Sequence, residues 1–328
     1  MQFRNYAISG QCFNFVVWGR KSMQSLKDYR AREFYGYGPN PPDPEWPDGA
    51  KIAVQFVINY EEGGESNILH GDKASEHLLS EIVGAVPWEG QRNLNIESLY
   101  EYGARVGFWR LYRLFTERNM KLTVFAVAKA LELNPAVAQA MVEADWEIAT
   151  HGFRWLEYKD VDEEEERFHI REAVRIQKQL TGERPYGIYQ GKPSINTLRL
   201  TMEEGGFIYS SDTYADELPY WVKGIDKPFL MIPYTLDVND MRFATAQGFN
   251  SGEQFFNYLK DSFDVLYEEG EKGSPKMLSI GLHCRLVGHP GRAKALEKFL
   301  DYVAAKKSVY IARRIDIARH WQKVHPAK

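Results

Sequence analysis

The chain has 328 residues, 44% hydrophobic and 26% charged, and 41 Lys and Arg against 45 Asp and Glu leave a formal charge of −4. That balance excludes a disordered chain, which needs few apolar residues and a high net charge, and a collagen, since 26 Gly and 15 Pro follow no three-residue period. Slight acidity with scattered Lys and Arg argues against a nucleic-acid partner, and two cysteines, Cys12 and Cys284, make neither a disulfide framework nor a four-cysteine zinc site.

In chain order, residues 1–38 lack a clean periodicity and read as an N-terminal extension ahead of one domain over 39–328. Residues 12–18 are the most apolar early stretch, but they are few and Arg20 and Lys21 follow them, so a secretory signal is not expected. No apolar run approaches the roughly 18 residues of a membrane span. The expected compartment is the reducing cytoplasm. Pro41, Pro42, Pro44 and Pro47 make an extended lead-in. A first buried strand is predicted over 51–59, where apolar and β-branched residues run together. Roughly 60–95 reads as a long irregular segment, and such loops inside a compact domain are usually functional. A helix follows over 96–117.

From there the chain alternates. Strands are predicted over 122–127, 147–150, 186–189, 207–210, 229–233, 276–283 and 309–312. Helices are predicted over 134–144, 162–180, 194–204, 252–270, 291–305 and 314–321, with Pro135 in a first turn and Ser251 as a cap. Seven or eight β–α alternations point to a parallel sheet closed as an α/β barrel, in which chemistry sits at the C-terminal strand ends.

Five strand ends carry unusual chemistry. They hold Asn59, Tyr60, Glu61 and Glu62; then His151 and Trp155; then Gln190 and Lys192; then Asp237 and Asp240; then His283, Cys284 and Arg285. Hydrolysis needs one group to take a proton from water and another to give one to the leaving group. Two adjacent glutamates in a confined site also repel, which lifts one of them toward neutrality. Singly, each feature has a plainer reading: a Glu pair after a strand is usually a solvated loop, and 163–166 (EEEE) a solvated first helical turn. His70, His77, His169, His289, His320 and His325 read as surface or structural residues. His151 and His283 stand apart because each ends an apolar, strand-like run, and the joint pattern carries the functional reading.

The order of these motifs resembles the polysaccharide deacetylase (NodB-homology, carbohydrate esterase family 4) superfamily. Its T-F-D-D-G motif corresponds to Asn59-Tyr60-Glu61-Glu62-Gly63, its H-[ST]-x-x-H to His151 through Trp155, and its late L-x-H to Gly281-Leu282-His283. The segments NYEEGGE, HGFRW, DTYADELPYW, IPYTLDVNDMRF and PKMLSIGLHCRL are similar to a subgroup recruited to purine breakdown, the PuuE-type allantoinases, and the likeness runs from about Tyr35 to Pro326. It implies a distorted (β/α)7–8 barrel and a homo-oligomer, a tetramer in that subgroup's manner. Residues 212–221 could serve either as an interface or as a pocket lid.

The departures bear on mechanism. In ordinary members an Asp and two His hold a zinc-like ion and another Asp is the base. Here both aspartates are Glu and the second His is Trp155. A catalytic metal normally has three protein ligands, so the resemblance implies a route that requires no cofactor. Glu62 and His151 are the ligands left if a weak divalent ion, zinc, is held. The subgroup's G-R-T-G-P-N-T run is here Gly191-Lys192-Pro193-Ser194-Ile195-Asn196-Thr197, where a point charge replaces a planar fork.

The function expected is C–N hydrolysis of a small cyclic amide, allantoin opened to allantoate. Glu61 is expected as the base and His283 as acid or oxyanion stabiliser, with Glu62 and His151 orienting water or substrate. Asn59, Tyr60, Trp155, Lys192, Asp240 and Arg285 are expected to line the pocket. The alternative is deacetylation of an N-acetylated sugar polymer such as chitin. A third reading, a non-catalytic carbohydrate-binding barrel, fits the altered Trp155 and Lys192 but not the retained Glu61, Glu62, His151 and His283.

Overall fold

The first strand, β1 (Ile52–Tyr60), is buried along its whole length, as a strand covered on both faces must be. Its alternation sorts the structure. Ile52, Val54, Phe56, Ile58 and Tyr60 face the main apolar core beneath the helices, and Val57 belongs to a separate inner cluster with Phe125, Ala149, Tyr189 and Tyr234. The computed structural model describes residues 32–222 and 227–327. A boundary between two units falls after Gly36, and the extension expected over 1–38 lies almost wholly outside the described residues.

After β1 come β2 (Thr123–Ala126), β3 (Glu147–Thr150), β4 (Gly187–Ile188), β5 (Tyr209–Ser210), β6 (Tyr220–Val222), β7 (Phe229–Met231), β8 (Lys276–His283) and β9 (Val309–Ile311). Their order is β6-β7-β5-β4-β3-β2-β1-β8. Only the β6–β7 pair among them is antiparallel. One edge of β1 pairs with β8 from Ile52 to Asn59, and the other is shared by β9 at Ile52–Val54 and β2 at Val57–Tyr60. The sheet therefore curls into a half-barrel, the distorted form of the expected barrel. Across the gap between β8 and the far strands, Met277 N–H donates to the Glu217 carbonyl at 3.1 Å, and Asn239 makes a single bridge to Gly281.

The helix predicted over 96–117 is three pieces in line: α1 (Leu94–Tyr102), a π turn (Gly103–Gly107) and α2 (Phe108–Thr116). Then follow α3 (Ala128–Leu133), α4 (Pro135–Glu143), α5 (Glu163–Thr181), α6 (Thr197–Glu204), α7 (Gly252–Glu271), α8 (Pro290–Ala304) and α9 (Arg314–Val324). Ser251 is the cap the sequence suggests, its Oγ accepting from Gln254 N–H, while Asp162, read as the first residue of its helix, is the cap of α5 and accepts from Glu164 N–H. Two elements escaped the sequence reading. The α3 turn is short and runs straight off β2, and β6 begins at the end of the aromatic segment taken for a lid or interface. Among the described residues no helix is long and apolar enough to cross a membrane.

The interior of the curl is layered. Midway along β1 and β8 Arg314, fully buried, donates to Gln55 Oε1 at 2.7 Å, Ser279 Oγ at 2.8 Å and the Pro233 carbonyl at 2.8 Å. Above that polar floor lies the aromatic layer, with the Phe125 and Tyr189 rings 4.8 Å apart. Asn59 and Glu61 come next on the same face of the chain. The fold thus seals one end of the half-barrel and leaves the C-terminal strand ends for chemistry.

Candidate active site

Glu61 leaves β1 at its C-terminal end and is the centre of the cluster. Its Oε1 lies 3.4 Å from His151 Nε2, just past β3, and 3.4 Å from His283 Nε2, the last residue of β8. Its Oε2 lies 2.7 Å from Arg285 Nη1. Glu61, His151, His283 and Arg285 are each less than 5% exposed. Burial would raise the Glu61 carboxyl, but Arg285 and His283 outweigh it and hold the group well below the usual carboxylate range.

His283 is oriented from behind. Asp240, fully buried, accepts from His283 Nδ1 at 2.6 Å through one oxygen. Its other oxygen accepts the His283 and Val287 backbone N–H groups at 2.8 and 2.9 Å. A carboxylate on Nδ1 makes that nitrogen the donor and aims Nε2 at Glu61. Burial alone would lower His283, but the carboxylates of Glu61 and Asp240 lift it to about 9. It is an imidazolium at neutral pH and can give a proton.

The rim is aromatic and cationic. The Arg285 guanidinium lies 4.3 Å from the Tyr100 ring centre and 5.6 Å from that of Trp155. Lys192 Nζ sits 3.5 Å over the Trp155 ring, and burial lowers the Lys192 pKa. The Trp155 backbone is fixed by its amide N–H, which donates to the Gly64 carbonyl at 2.9 Å. Asn59, one step below on β1, donates to the Tyr234 hydroxyl at 3.0 Å and forms part of the floor.

The π turn shapes the wall. A Cβ on Gly103 would stand 2.3 Å from Glu62 Oε1, and one on Gly107 only 2.0 Å from the Cys284 carbonyl oxygen. Both glycines have ordinary helical φ, so it is close approach and not backbone freedom that requires them. Such π turns recur at functional sites.

The structure brings together Glu61, His151, His283, Arg285 and Asp240, with Asn59 beneath and Trp155 and Lys192 at the rim. Two expected members lie outside the cluster. Tyr60 does not line the pocket: strand alternation turns it into the main core, where its ring meets Phe108 edge-on with centroids 5.7 Å apart. Glu62 does not join His151, because its Oε2 accepts the Glu61 backbone N–H at 2.9 Å and turns the carboxylate toward Gly103. Burial, aided by the charge of Glu61, pushes Glu62 up to about 7, and burial does the same for Glu65. A cavity of about 570 Å³, lined in part by Glu62, Glu65 and Tyr100, adjoins the cluster.

Asp240 has a different place from the one expected, positioning His283 instead of lining the pocket. Tyr100 and the glycines of the π turn were not singled out. The available signal was two Gly four residues apart inside a helical run.

The residues present do not fit a catalytic divalent ion. Glu62 and His151 are not a pair, Trp155 offers no donor, and the guanidinium of Arg285 lies against Glu61. Among the described residues no group of three His, Cys, Asp or Glu is disposed to hold a metal.

Comparison with known proteins agrees with this architecture. The polysaccharide deacetylase family profile matches residues 95–198. The chain is 42% identical over 319 residues to the "Putative polysaccharide deacetylase" of Schizosaccharomyces pombe, covering 92% of this chain and 99% of that one. A crystal structure described as a probable polysaccharide deacetylase from Pseudomonas aeruginosa PAO1 is similar at 59% identity and a TM-score of 0.89, over 91% of this chain and all (100%) of that one. A crystal structure of PuuE allantoinase is similar at 57% identity and a TM-score of 0.89, over 91% of this chain and 99% of that one.

Proposed function

The chain belongs to the polysaccharide deacetylase family of hydrolases, and within it we propose an amidase that opens a small cyclic amide, allantoin to allantoate, without a bound metal. The observation that carries this reading is the buried cluster in which one carboxylate, Glu61, meets two histidines and a guanidinium. The four side chains are buried and compactly grouped, which suits a small ring better than several linked sugar units, which need a long groove. The similarity to PuuE allantoinase supports the same choice.

In this reading water attacks the ring carbonyl and its proton passes to Glu61. The carbonyl oxygen takes the negative charge as the tetrahedral intermediate forms. The C–N bond then breaks as His283 Nε2–H protonates the leaving nitrogen, while Asp240 holds the ring and its charge. His151 Nε2 orients the water beside Glu61. A base held so acidic is a poor one while Arg285 lies against it, so Glu61 gains basicity when a substrate oxygen draws the guanidinium off.

The test is turnover of purified protein on allantoin and on chitin oligomers, each before and after exhaustive chelation. Allantoate formation that survives chelation is the expected result. Acetate release from the sugar, abolished by chelation and restored by zinc, would reject both the substrate and the metal-free route.

A further inference from the structure

We propose that Arg285 is the built-in cation of this centre: it takes the electrostatic place of a divalent ion, keeps such an ion out, and presents its N–H groups to the carbonyl oxygen under attack. Only the last part rests on the amide-hydrolase reading, since exclusion of an ion is argued from the charge and position of Arg285 beside Glu61 and not from the reaction.

Burying a guanidinium is costly unless it is paired and hydrogen-bonded. Arg285 is 2% exposed, and its near carboxylate is Glu61, at 2.7 Å from Nη1. That ion pair engages Nη1. Among the described residues, Arg285 Nε and Nη2 have no hydrogen-bond partner. A planar fork of five N–H donors is thus held in the interior with most of its donors unspent. Tyr100 and Trp155 pack near it at 4.3 and 5.6 Å from their ring centres and fix its plane without satisfying it. A structural arginine in the same fold behaves differently: Arg314, equally buried, spends its nitrogens on Gln55, Ser211, Ser279 and two carbonyls. Unspent buried donors call for an acceptor, and a carbonyl oxygen that becomes an oxyanion is one of the right charge.

The same placement explains the donor set. Glu61, Glu62 and Glu65 follow one another at the end of β1, with two histidines facing Glu61. Carboxylates and imidazoles are what zinc binds. With a permanent positive charge 2.7 Å from the central carboxylate, a second cation is repelled. The reaction balances without an ion: the guanidinium keeps its protons throughout, Glu61 takes one from water, and His283 gives one to nitrogen.

The experiment is equilibrium dialysis of the full chain against Zn²⁺ and Co²⁺ for wild type, Arg285→Met, Arg285→Gln and Arg285→Lys, with near-UV circular dichroism as the folding control. Arg285→Met is expected to retain about one ion per chain, with visible Co²⁺ bands of nitrogen and oxygen ligation that a second change, Glu61→Gln, removes. Wild type and Arg285→Lys are expected to retain none. If Arg285→Met does not fold, Arg285→Gln, which keeps a planar polar head, is read in its place. Uptake by either neutral variant no greater than wild type overturns the exclusion, and so does tight binding by wild type at this centre. In turnover, Arg285→Ala is expected to lose about 10²–10³-fold in kcat and to recover part of it with added guanidinium ion. No recovery, with kcat unchanged, overturns the oxyanion role. If wild type does not turn over allantoin, the substrate reading fails while the metal measurement still decides on Arg285.

Discussion

Asp240→Asn offers a severe test of the site, because it removes one charge and one acceptor from a pair that is otherwise isosteric. In the wild type Asp240 accepts from His283 Nδ1 at 2.6 Å while its other oxygen holds two backbone N–H groups. An asparagine can keep the backbone bonds with its carbonyl oxygen, but its NH₂ then faces Nδ1. That NH₂ disfavours a proton on Nδ1, so the imidazolium is weakened and the neutral ring, when it forms, carries its proton on Nε2, the wrong tautomer. His283 stands at about 9 with burial opposing and Glu61 and Asp240 lifting it. Loss of Asp240 should bring it down by roughly one to two pH units, or ~1.4–2.7 kcal/mol of differential interaction. The sign in stability follows. A group raised in the folded state gives its full stabilisation below its unfolded pKa, about 6.5 for His, and loses it as pH rises through about 9. Wild type should therefore lose on the order of 3 kcal/mol between these limits from this group alone, and the variant markedly less. The assays are an imidazole ¹⁵N NMR titration and urea unfolding from pH 6 to 10. In turnover, the alkaline limb of the pH–rate profile should move down, and kcat should fall by about 10³–10⁴-fold, the scale of a tautomer error in His–Asp pairs. A His283 ring that titrates at the same pH in both proteins would refute the reasoning.

Three further outcomes are expected. Glu61→Gln strips the carboxylate from Arg285, His283 and His151 together, so it should lower kcat by at least ~10²-fold and stability by about 3–5 kcal/mol, read by turnover and urea unfolding at pH 7. Glu62→Gln should do the reverse to stability: Glu62 is lifted to about 7 by burial, so its charged form is disfavoured as pH rises through that value, and the variant should exceed wild type by up to about 3 kcal/mol at pH 8 and match it near pH 4.5. Gly107→Ala and Gly103→Ala should separate clearly in thermal unfolding. The first drives a Cβ to 2.0 Å of the Cys284 backbone carbonyl, which cannot yield, whereas the second meets the Glu62 side chain, Oε1 at 2.3 Å and Cγ at 2.7 Å, which can shift by giving up its bond to the Glu61 N–H. A loss of about 1–3 kcal/mol or more is expected at Gly107, and a smaller loss at Gly103, where about 1 kcal/mol of helix propensity offsets part of the overpacking.

Most of the fold was legible because its signals are local. Strand β3 falls at 147–150 and β8 at 276–283 as read from apolar runs, and the α5 and α7 starts follow their Asp162 and Ser251 caps. What escaped is what distance in sequence hides. The pairing of Asp240 with His283 spans 43 positions and is set by a bridge between Asn239 and Gly281 across the open side of the sheet. No periodicity reports such a contact. Tyr60 was placed in the pocket because it stands inside the motif, yet the two-residue period of β1 sends it to the opposite face from Asn59. The same rule, applied to Glu61 and Glu62, would have separated their roles in advance.

That separation is the physical logic of the centre. Two adjacent glutamates cannot both stay ionised in a dry interior. Glu61 is aimed at Arg285 and His283 and stays charged; Glu62 is aimed at its neighbour's backbone N–H and the π turn and rises toward neutrality. The half-barrel supplies both surroundings within one residue step, because β1 ends there and the chain turns across Gly63, at φ +97°, into the irregular segment. An ion held by both carboxylates would need them to converge, and the local geometry makes them diverge. The positive charge that the carboxylate of Glu61 requires comes instead from β8 and the turn after it, through His283 and Arg285, side by side with the base they restrain.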